Sequence, residues 1–109
     1  MKLHHRTTME AARSILKKGF IDQTGNYLTE QKLTGVWFSD RPLDSNEGIR
    51  LDADTLLEIT TRLSESALAE YEAVEDEKPY REWLVPAALI NANSTTRIVD
   101  DEEVALLGV

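Results

Sequence analysis

Cysteine is absent from the 109 residues, so there is no disulfide framework and no thiolate metal site. Histidine occurs only as His4 and His5, too few for a histidine-rich metal centre. No apolar run reaches the roughly 18 residues that span a bilayer. Met1-Lys2-Leu3-His4-His5-Arg6 lacks the apolar stretch of a secretory leader, and a cytoplasmic protein is the expectation. Bases are in deficit, twelve against twenty acids, for a formal net charge of −8. Such a surface repels a nucleic-acid backbone at long range, which makes free RNA or DNA a poor partner. Repeats and low-complexity linkers are also missing, and the acidic run 70–77 reads as a solvated helix end and loop.

What is present fits one domain, residues 1–109, of 12.3 kDa with 41% hydrophobic residues. Leu3 to Arg6 reads as a first strand. Thr7-Thr8-Met9-Glu10 matches a capping box with Thr7 as N-cap. Ala12, Ile15 and Leu16 follow at helical spacing, Lys17-Lys18 suit a helix C-terminus, and Gly19 stops the helix before Phe20 and Ile21 re-enter the core. Gly25-Asn26 signals a turn in a polar stretch. Thr34 to Ser39 is a compact strand, and the segment 40–48 is a loop of the kind that carries sites. Thr55 to Leu63 alternates as a strand. Ser64 caps a short helix from Glu65 to Tyr71, Pro86 opens a helical turn from Ala87 to Ile90, and Thr95 to Val99 is a last strand before a frayed acidic tail, 100–109. Helices do not alternate regularly with strands, so the expectation is an α+β domain rather than a doubly wound sheet.

The stretch Tyr80-Arg81-Glu82-Trp83-Leu84-Val85-Pro86 reads as a strand stopped by proline. It sets one carboxylate, Glu82, among apolar neighbours, where a charge costs free energy unless it is paired or used. Pairing with a nearby base is the plain reading. Two further stretches weigh against it.

Taken in order, His5-Arg6-Thr7, Gly19-Phe20, Gly35-Val36-Trp37-Phe38 and Glu82-Trp83-Leu84-Val85 resemble the motifs of the ADP-ribosyltransferase superfamily of the diphtheria-toxin and poly(ADP-ribose) polymerase type. The resemblance covers most of residues 3–99. It implies two small, mostly antiparallel sheets enclosing a cleft that holds NAD bent. It also implies a ribose-hydroxyl contact for His5, backbone contacts to the nicotinamide amide at Arg6, a hydroxyl contact from Thr7, ring stacking by Trp37 and an amide contact near Ser45. Glu82 would be the catalytic carboxylate that stabilises charge on the ribose as the glycosidic bond breaks, an arrangement shared with glycosidases.

The residues carry plain readings as well: a core histidine, a helix cap, a core aromatic. The chain departs from the family at Arg6, where glycine is common, and near Gly48, where a second stacking tyrosine is expected. The implied activity is NAD-dependent transfer of ADP-ribose to an unidentified acceptor, or to water, with release of nicotinamide and no metal. A toxin-like, phage or housekeeping role fits equally. An RNA 2′-phosphotransferase-like NAD enzyme and a non-catalytic nucleotide-binding module are the rivals.

Overall fold

Alternation along Thr55–Thr61 builds the strand against which the sheet is registered. Thr55, Leu57, Ile59 and Thr61 are buried on one face, and Leu56 is buried on the other. A computed structural model describes residues 1–26, 32–43, 54–74 and 78–107. The strands are β1 (Lys2–Thr7), β2 (Gln23–Asn26), β3 (Lys32–Ser39), β4 (Thr55–Thr61), β5 (Glu82–Val85) and β6 (Ser94–Val99). The helices are α1 (Met9–Lys18), α2 (Glu65–Leu68), α3 (Ala87–Asn93) and α4 (Asp101–Leu107), with a 3₁₀ turn at Ala69–Tyr71. The fold is α+β: an open antiparallel sheet ordered β2-β3-β1-β4-β6, with β5 also paired to β3.

The two expected sheets are here one sheet that nearly divides. β1 is registered with β4 along its whole length, from Lys2 opposite Thr60 to Thr7 opposite Thr55. It meets β3 in register only at His4 opposite Ser39. Beyond that pair a side chain spans the seam, with His5 Nδ1 2.7 Å from the Trp37 carbonyl.

Leu3, Phe38, Leu57, Ile59, Trp83 and Val85 form the core on one face, joined by Ala12, Phe20, Leu68 and Ile90 from the covering segments. Complete burial of a side chain of this size contributes about 1.5–3 kcal/mol. Gly35 has φ +150°, and a Cβ there would lie 3.1 Å from Leu84 and from the Val85 carbonyl. Glycine is therefore what lets β5 sit against β3.

Local departures from the sequence pattern have identifiable causes. Thr8, not Thr7, caps α1, accepting from the Ala11 amide at 3.1 Å, while Thr7 completes β1 opposite Thr55. Gly25-Asn26 is strand rather than turn, because β2 pairs with β3 there. Phe20 is buried, but Ile21 is 65% exposed. The chain turns outward after Phe20, whose amide and carbonyl are both held by the Asn91 side chain at 2.9 Å. The acidic tail is helical from Asp101 to Leu107. Asp100 accepts from the Glu103 amide at 2.8 Å, and three acids in the first turn suit the helix dipole. Among the described residues no helix is long and apolar enough to cross a membrane.

Candidate functional site

β5 alternates as the sequence predicts. Trp83 and Val85 are fully buried, and Glu82 and Leu84 are half-buried on the opposite face. Directly opposed residues in an antiparallel pair share a face. Glu82 opposes Ser39, Ser39 opposes His4, His4 opposes Glu58, and Glu58 opposes Arg97. A polar row thus crosses five strands on the face away from Trp83. Trp37 and Arg6 lie on that face too, opposite Leu84 and Leu56.

Part of this face surrounds a cavity of about 110 Å³. Glu82, His4, Arg6, Ser39 and Trp37 supply its polar and aromatic wall, and Leu43 and Leu56 its apolar one. His5 and Phe38 reach it at the seam.

Glu82 is held by Lys78, whose Nζ is 3.3 Å from Oε2, with the two side chains 16% and 11% exposed. The ammonium also lies over the Tyr80 ring. Arg81 is engaged elsewhere. It forks onto Glu72 at 3.0 and 2.7 Å, bonds Glu65, and lies 4.9 Å from the Trp83 ring centroid. Its hydrogen bonds hold the Glu72 carboxyl below the usual carboxylate range. The Ser39 hydroxyl donates to the Arg41 carbonyl at 2.6 Å and is committed there.

Arg6 Nε donates to the Leu43 carbonyl at 2.6 Å, which fixes the guanidinium at the cavity. Its two Nη groups have no partner among the described residues.

His5 faces the other way. Its ring stands edge-on to Phe20 at 5.5 Å and 5.7 Å from Phe38. Burial lowers its pKa against the opposing pull of the Trp37 carbonyl. A carbonyl only accepts, so the proton of the neutral ring sits on Nδ1 and Nε2 is left as an acceptor. His5 and Glu82 therefore border one cavity from opposite faces of the sheet, whereas the resemblance implies that both point into the NAD cleft from the same side. Beyond His5 a second cavity, of about 480 Å³, runs along α1 and the segment after it, reaching Thr7, Ser14, Phe20, Ile21 and Gln23. His5 borders both cavities. Ser45 and the neighbourhood of Gly48 lie outside the described residues.

His4 and Lys78 belong to the site and had no role in the sequence reading. Adjacent residues on a strand point to opposite faces, so a His-His pair on β1 must put one ring on each side. The ring on the side of Glu82 is that of His4. Its Nδ1 is buried without a partner among the described residues. Burial lowers its pKa, opposed by Glu58 and Asp40. For Glu58, burial acts to raise the pKa, but Arg97 and Lys2 outweigh it and the net shift is downward.

Comparison of the chain with protein-family models, with curated proteins and with solved structures finds no match.

Proposed function

We propose that the chain binds NAD across the seam between β1 and β3 and breaks its nicotinamide–ribose bond, passing ADP-ribose to an acceptor or to water. The observation that carries this reading is that Glu82 and Trp37 line one small cavity on the same face, while His5 borders both that cavity and a larger one. The small cavity is of the order that admits one six-membered ring, since an engineered cavity of about 150 Å³ takes benzene. Trp37 supplies a flat π-face for a cationic pyridinium. His5 Nε2 accepts from a ribose hydroxyl. The larger cavity, flanked by Ile15, Phe20 and Ile21, takes the adenosine end.

Glu82 stabilises the positive charge that develops on the ribose as the carbon–nitrogen bond breaks and its electron pair leaves with the pyridine nitrogen. The acceptor oxygen closes the new bond to the same carbon and releases its proton. The test is incubation of the purified protein with NAD, alone and with a cell extract, following nicotinamide release and transfer of labelled ADP-ribose. No release above the buffer rate refutes the enzymatic reading.

The Lys78–Glu82 ion pair favours a second reading, a binding module without turnover. Dinucleotide binding without nicotinamide release is its outcome. The RNA 2′-phosphotransferase alternative is disfavoured by the net charge of −8.

A further inference from the structure

Arg6 lies at the small cavity and not at the large one. Its Nε is spent on the Leu43 carbonyl, and its Nη groups are unpartnered among the described residues. Among the described residues no carboxylate pairs with it. Glu82 is matched by Lys78, Glu58 by Lys2 and Arg97, and Asp40 accepts from the Arg81 amide. Among the described residues, a guanidinium with no ion-pair partner thus borders a ring-sized, largely apolar space in a chain of net charge −8.

A guanidinium has donors only. A carboxamide on the ring meets it with one acceptor and one NH₂ group, and the NH₂ group has nothing to accept it on Arg6. A carboxylate offers two acceptors and a compensating charge in the geometry that guanidinium prefers. We propose that Arg6 makes this site selective for the acid form of the dinucleotide, in which the pyridine carries a carboxylate in place of the carboxamide. The inference rests on the dinucleotide reading above and names the substrate class for it. A diphosphate is the other anion the ligand offers. It lies between the ribose at His5 and the adenosine in the large cavity, which Arg6 does not line.

The experiment is equilibrium binding by calorimetry of three probes: NAD, its nicotinic acid analogue, and ADP-ribose. The wild-type protein is expected to bind the acid form at least about tenfold more tightly than NAD, the lower end of what a charged hydrogen-bonding partner contributes. Arg6→Gln should abolish that preference and leave ADP-ribose binding unchanged. Arg6→Lys, which keeps the charge but not the fork, should retain part of it. Thermal melting of each variant shows that it is folded, and the wild-type comparison stands even if a variant is not. Equal binding of the acid form and NAD by the wild type, or a preference that survives Arg6→Gln, overturns the role of Arg6 while ADP-ribose binding upholds the dinucleotide reading. Loss of ADP-ribose binding alone in Arg6→Gln assigns Arg6 to the diphosphate and also overturns it. Failure of all three probes to bind overturns both.

Discussion

Replacing Glu82 by Gln removes one charge from a pair 3.3 Å apart whose side chains are 11% and 16% exposed. At an effective dielectric of about 20, two charges at that distance attract by about 5 kcal/mol, most of it offset by desolvation. Removing one partner of a buried pair costs about 3–5 kcal/mol, and less where the other keeps further contacts, as Lys78 does. Residual exposure here points to the lower end. For a domain of this size, about 3 kcal/mol lowers the melting temperature by roughly 12 °C or more. Lys78→Met in the same chain removes the ammonium as well, and the double variant should recover part of that loss. Catalysis behaves differently. If Glu82 stabilises the transition state, both Glu82→Gln and the double variant should lose about 10²–10³ in kcat, measured as nicotinamide release below the lower melting temperature. The two roles of the carboxylate are thereby read on separate axes, stability and turnover. Wild-type turnover in a folded Glu82→Gln protein, or recovery of turnover together with stability in the double variant, would refute the catalytic role.

Adding dinucleotide should change indole fluorescence in the wild type and not in Trp37→Phe, which leaves only the buried Trp83 to emit; an equal response in the variant removes Trp37 from the site. Gly35→Ala forces a Cβ against Leu84 and the Val85 carbonyl at φ +150° and should cost about 1–3 kcal/mol in urea unfolding, with an unchanged midpoint counting against the packing described. Thr8→Ala should cost about 1 kcal/mol through loss of the α1 cap, whereas Thr7→Ala should leave α1 helicity intact by circular dichroism. His4 and His5 both have lowered pKa values in the fold, chiefly from burial, so the unfolded chain takes up protons first. Stability should therefore be level above about pH 6.5 and fall as pH drops below it, with a further loss below about pH 4.5 as Glu58 and Glu72 protonate. Urea midpoints that rise on acidification from pH 7.5 to 5.5 would contradict this.

Most strands were legible because their signal is local. Thr55–Thr61 and Glu82–Val85 alternate cleanly, and Gly19 and Ser64 end or begin helices where their chemistry requires. β2 was hidden because Gly25-Asn26 carries turn chemistry, and only its pairing with β3 makes it a strand. The capping threonine was misplaced by one residue because β1 extends through Thr7, a consequence of pairing with Thr55 that no local pattern encodes. At the site, the burial alternation around Trp37 and Glu82 could be read from β-periodicity. The opposite facing of His5 could also have been read, from its parity with His4, but the family motif drew attention to His5 alone. The Lys78 partner of Glu82 comes from a segment without periodicity, so it required the fold. Ser45 is outside the described residues and its contact stays an expectation.

The pairing pattern also bears on how the chain comes to be folded at all. Lys2 finds its partner in Thr60, Leu56 in Val99 and Val36 in Val85; among the described strands, β2 and β3 alone pair as near neighbours along the chain. Closing such distant pairs must precede any reward from them, which places folding in the slow range typical of sheet topologies, about milliseconds to seconds. During synthesis β1 emerges before β3 and β4, the strands it pairs with. α1 alone, at ten residues, is too short to persist without a sheet beneath it. Leu3 and Phe20, buried in the finished molecule, stay open to water until β4 and then α3 have left the ribosome, so the nascent chain passes through a stage in which a holdase has apolar side chains to grip.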